Sequence, residues 1–146
     1  MDFTTIKPTV IAIIGAVGAT ATYMFGGWDA ALQTLIIVMA IDYITGLLVA
    51  GVFHKSKKSE QGALSSKAGY QGLCRKGMVL LIVLVSTQLD KVSGTEIIRN
   101  AVIIGYIANE TISIIENAGL MGLPVPDVII RAIDMLKDKS DTPLKG

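Results

Sequence analysis

The chain has 146 residues, of which 51% are hydrophobic and 17% charged, with a mean hydropathy of +0.59. A soluble domain carries about a quarter of its residues as charges, so this composition excludes an ordinary water-soluble enzyme and points to one compact unit built in a membrane. The net charge of +1 conceals a segregation, because the surplus positive charge is gathered between His54 and Lys76.

A transmembrane helix needs about 20 mostly apolar residues. Residues 9–26 meet this behind Pro8, which suits a first helical turn. Ala19-Thr20-Ala21 also fits a signal-peptide cleavage pattern, but the apolar run continues past it to Phe25, so a span is the preferred reading. Gly15 with Ala19, and Gly18 with Thr22, set small residues four apart, a spacing that lets helices approach closely in lipid. Gly26, Gly27, Trp28 and Asp29 read as a tight turn at a membrane surface, with Tyr23 and Trp28 as interfacial anchors. Residues 30–53 form the second expected span and carry one charge, Asp42.

Residues 54–76 read as a basic loop, with Lys55, Lys57, Lys58, Lys67, Arg75 and Lys76 against Glu60 alone. By the positive-inside rule such a loop stays cytoplasmic, and its cations are expected to touch lipid headgroups. A nucleic-acid patch is set aside, because only Tyr70 is there to stack on bases. The third expected span, residues 77–92, is short: its apolar run to Leu89 gives about 20 Å of helix, and no basic residue is expected at the depth of Asp42.

Residues 97–117 form the fourth expected span. On a helical wheel Arg99, Tyr106, Asn109, Glu110, Ser113, Glu116 and Asn117 fall within an arc of roughly 120°. Such a helix either crosses the membrane with its polar stripe turned to protein or water, or lies flat in the interface. Crossing is preferred because the stripe is acidic and amide-rich rather than basic. Gly119 to Pro126 breaks the chain, and residues 126–146 read as a short amphipathic helix with an unstructured tail. The expected fold is thus an all-α membrane protein with about four transmembrane helices in residues 1–125.

No catalytic constellation assembles. His54 is the only histidine and Cys74 the only cysteine, and neither phosphate loops nor metal-ligand spacings occur, so no cofactor or metal is expected. What remains is carboxylates at membrane depth, Asp42, Glu110 and Glu116, within reach of Thr45, Tyr106, Asn109 and Ser113. They are expected either to glue the bundle together or to drive self-association around a water-filled lumen.

The segments DYITGLLVA (Asp42 to Ala50), GLCRKG (Gly72 to Gly77), LDK (Leu89 to Lys91), IRN (Ile98 to Asn100), ANETISIIENAG (Ala108 to Gly119) and GLPVP (Gly122 to Pro126), with the pair Ser65-Ser66, resemble in their order the phage lysis and toxin-secretion holin family. The resemblance implies a protein of the bacterial cytoplasmic membrane that oligomerises into lesions and passes an endolysin or toxin to the outside. It implies as partners other copies of the chain, membrane lipid, a lysin or toxin cargo, and an antiholin. Rival readings are an antiholin or membrane scaffold of the same family, and a small proton-coupled transporter using Asp42 and Glu110.

Overall fold

The computed structural model describes residues 3–141 as five helices: α1 (Phe3–Met24), α2 (Ala30–Gly51), α3 (Ser66–Ser93), α4 (Ile97–Leu120) and α5 (Asp127–Asp141). No strand occurs among the described residues. The tail expected to be unstructured lies, from residue 142 onward, outside them.

The turn between α1 and α2 falls where the glycine pair placed it. Gly26 and Gly27 have φ of 79° and 100°, a left-handed conformation that costs glycine little and other residues more. Asp29 then caps α2, its Oδ1 accepting from the Leu32 N–H at 2.8 Å.

Residues 54–76 are not one loop. α3 starts at Ser66, with Ser65 as its cap accepting from the Ala68 N–H, and runs for 28 residues. That is about 42 Å of helix, so the third helix is not short. Lys67, Arg75 and Lys76 therefore stand on α3, while Lys55, Lys57 and Lys58 stay in the connecting segment 52–65. The glycines that read as loop are packing positions. A Cβ at Gly69 would lie 3.5 Å from Tyr43 Oη, and one at Gly72 would lie 3.7 Å from Tyr43 Cε2. Close approach of α3 to α2 offsets a helix-propensity cost of about 1 kcal/mol per glycine.

α2, α3 and α4 lie alongside one another and meet through three matching stripes. α2 presents Leu32, Leu35, Met39, Asp42, Gly46 and Val49. α3 presents Gly69, Gly72, Lys76, Val79, Val83, Ser86 and Asp90. α4 presents Arg99, Ile103, Tyr106, Glu110, Ser113 and Asn117, and every residue of the three stripes is buried or half-buried. Alternating steps of three and four are those of helices packed at a shallow left-handed crossing. Leu35, Val83 and Ile103, all fully buried, centre the apolar core, with Leu32 and Met39 beside them.

α4 starts at the α1–α2 turn and ends against the second half of α2, so these two helices run parallel and α3 runs against both. α1, from Ile6, α2 and α3 are each long and apolar enough to cross a membrane. α4 is as long as α2 but is not among them, because Arg99, Glu110, Glu116 and its amides lower its hydropathy. The fourth expected span is therefore not identified by composition. α1 touches only α3, and its side chains from Lys7 to Ala21 are exposed. α5 touches only α4.

Candidate functional site

The three stripes carry their charges at the same level. Asp42 stands near the middle of α2 and is 6% exposed; Glu110 on α4 is 7% exposed. Lys76 reaches from α3 between them, its Nζ donating to Asp42 Oδ2 at 2.7 Å and to Glu110 Oε2. Asn117, two turns further along α4, donates from Nδ2 to Thr45 Oγ1 at 2.9 Å and to Asp42 Oδ1 at 3.4 Å. One ammonium faces two carboxylates, so the group holds at most one unbalanced negative charge.

An unpaired charge at the centre of a bilayer costs about 2.5–3.5 kcal/mol on insertion scales. Here each helix supplies the partner that another lacks. The expectation that no basic residue reaches the depth of Asp42 is corrected by Lys76, and the physical reason is the early start of α3. Because the helix begins at Ser66, Lys76 lies within it and on its packed stripe. The signal for this was present in the sequence: Gly69, Gly72, Lys76, Val79, Val83, Ser86 and Asp90 keep the three-four rhythm without a break.

A cavity of about 260 Å³ opens beside this group and is lined by Asp42, Lys76, Asn109, Glu110 and Ser113, with Lys58 and Arg75 also in its wall. The cations of Lys58 and Arg75 offset the residual negative charge. The arrangement holds three helices in one rotation and register around a polar centre.

A second polar group closes the opposite end of the bundle. Asp90 on α3 accepts from the backbone N–H of Arg99 at 2.7 Å and of Ile98 at 3.0 Å, and from the Thr95 hydroxyl, so it caps α4 from a neighbouring helix. The Arg99 guanidinium, 7% exposed with its residue, folds back over the α1–α2 turn. It donates to Phe25 O at 2.6 Å, Asp29 Oδ2 at 2.6 Å and Gly27 O at 3.3 Å. Arg99 beside Asp29 holds that carboxyl below its ordinary range.

The expected site residues are thus divided by the fold. Asp42, Thr45, Glu110 and Asn117 come together, and Asn109 and Ser113 line the same cavity. Tyr106 packs on the apolar core and Arg99 belongs to the far end. Glu116 is exposed and joins neither group. Of the residues assigned to headgroups, Lys76 is in the ion-paired centre, Lys58 and Arg75 reach its cavity, Lys67 lies at the start of α3, and Lys55 and Lys57 are exposed. Of the polar stripe of α4, read either as glue for the bundle or as a drive to self-association, Arg99, Glu110 and Asn117 are partnered within one copy.

Residues 19–138 match the model of the bacteriophage holin family. The chain belongs to that family. This holin-family chain is 40% identical over 131 residues to an uncharacterized protein of Listeria innocua, covering 89% of this chain and 87% of the other. It is 36% identical over 128 residues to an uncharacterized 14.9 kDa protein of Clostridium perfringens, covering 86% and 91%. It is also 29% identical over 120 residues to a protein of Bacillus phage phi105 named a probable holin, covering 82% of each. No solved structure matches. With three helices of membrane-crossing length and composition, this family member is a membrane protein.

Proposed function

We propose that the chain is a holin: a non-enzymatic protein that gathers in the bacterial cytoplasmic membrane and, as an assembly of several copies, opens lesions through which a cell-wall hydrolase escapes. The observation that carries this reading is kinship over most of the chain with the phage phi105 protein named a probable holin. The unpartnered apolar surface of α1 supports it, since Val10, Ile11, Ile13, Ile14 and Val17 need lipid or another copy against them.

In this reading α4 crosses together with α2 and α3 as a fourth span, because it is packed between them along its length with Arg99 and Glu110 partnered inside. The segment with Lys55, Lys57 and Lys58 then lies on the cytoplasmic side, where the positive-inside rule puts it. The start of α1 and the break at residues 121–126 follow it there.

The test is expression in a Gram-positive host, alone and together with a murein hydrolase that lacks a secretion signal. Membrane-localised chain is expected to admit propidium and release a cytosolic reporter, and lysis is expected only when the hydrolase is present. An intact membrane at confirmed high levels of inserted chain would overturn the proposal.

A further inference from the structure

The proposed lesion needs a water-facing surface, and the fold leaves little of α4 for that purpose. Arg99, Glu110 and Asn117 are buried and partnered within one copy, and only Asn100, Asn109 and Glu116 among its polar side chains remain exposed. The larger polar surface is on α5.

After the break at residues 121–126, where Gly122 has φ of 83°, α5 turns back along α4. Its last turn returns to the level of Gly105, where an added Cβ would lie 3.6 Å from Ser140 Cβ. Gly105 is six residues beyond Arg99, or about 9 Å of helix rise from the α1–α2 turn. α5 therefore spans most of the depth that α4 does, and it is held there by Ile133, buried against α4.

At 100° per residue Asp127, Arg131, Asp134, Asp138 and Asp141 fall within an arc of about 80°, turned away from Leu136 and Ser140. All five are exposed. Four carboxylates and one guanidinium in a continuous stripe at this depth do not belong against hydrocarbon. They do not belong on a flat interfacial helix either while the Gly105–Ser140 contact stands, because that contact fixes α5 upright beside α4.

We infer that the outward stripe of α5, rather than the polar residues of α4, lines the aqueous passage in the assembly. This rests on the pore-forming reading above. Four acidic groups stand against Arg131 on the arc and Lys137 at about 40° from its edge, and the net negative charge gives the passage a cation preference, as acidic rings do in cation channels.

The experiment uses the full chain with Cys74→Ser, reconstituted in proteoliposomes under a KCl gradient. Gly105→Cys with Ser140→Cys is expected to form a disulfide, since the Cβ atoms sit within the usual range of about 3.5–4.5 Å, and the locked protein is expected to leak as the reduced one does. Asp134→Lys with Asp138→Lys is expected to move the K⁺ to Cl⁻ permeability ratio from above one to below one.

A leak with an unchanged ratio overturns the lining by α5 while leaving the pore-forming reading intact. Failure of the disulfide to form in protein that still leaks does the same, as does a leak that appears only on reduction, for then α5 must leave α4. No leak from the parent chain at any density sinks both readings together.

Discussion

Removing the Lys76 ammonium leaves Asp42 and Glu110 facing each other in a mostly buried place, so Lys76→Met is expected to destabilise the fold by about 3–5 kcal/mol, the cost of stranding buried charge. The neutral triple variant Asp42→Asn, Lys76→Met, Glu110→Gln is expected to regain most of that loss, and unfolding curves in detergent compare the two. A triple variant as unstable as the single one would show that the charges do more than satisfy each other. At the other end, Asp29 is held below its ordinary range by Arg99, so its contribution is complete above the unfolded value near 3.8 and is lost as pH falls through the folded one. The melting temperature of Asp29→Asn is therefore expected to vary less below pH 4 than that of the parent chain. Glu110 was legible from the helical spacing of α4, and Asp42 as the one charge in an apolar run. Lys76 was not, because a cluster of lysines with glycines reads as loop until the three-four rhythm through Gly69, Gly72 and Val79 is followed across it.

At the scale of the helix, α3 shows how packing overrides composition. Gly72→Leu is expected to push α3 off the Tyr43 ring, loosening α2 against α3 and with it the ion-paired centre, whereas Gly77→Leu has open space around it and serves as the control. A loss of about 2 kcal/mol or more in detergent unfolding is expected for the first, in the range for overpacking, and little change for the second. Equal effects would mean that the glycines act only through helix propensity. α2 could be read from its apolar run and the turn at Gly26 to Asp29 before it, and α4 from its amphipathic wheel. What could not be read was which way the polar side of α4 turns. A wheel gives the arc but not its neighbour, and the neighbour here is another helix of the same copy.

For the whole molecule the open quantity is the number of crossings, which hydropathy alone leaves at three. Length and composition are poor guides to α4 because Glu110 is neutralised by α3 and Arg99 by the α1–α2 turn, so its cost in lipid is below what its own residues suggest. Counting residues helix by helix cannot see that cancellation, which arises only after α2, α3 and α4 associate. The two topologies differ in one observable. If α4 crosses, the segment around Lys57 and the turn at Leu123 share one side of the membrane, and Trp28 lies on the other. If α4 does not cross, Leu123 joins Trp28. Single cysteines at Lys57, Leu123 and Trp28, each exposed and each placed on a Cys74→Ser background, make the comparison direct. With a membrane-impermeant maleimide added to intact protoplasts, at expression levels below those that open the membrane, only Trp28→Cys is expected to label. Lys57→Cys and Leu123→Cys are expected to react together once the membrane is breached. Labelling of Leu123→Cys in intact protoplasts would leave three crossings and would require the α2–α3–α4 packing to form without α4 traversing the bilayer.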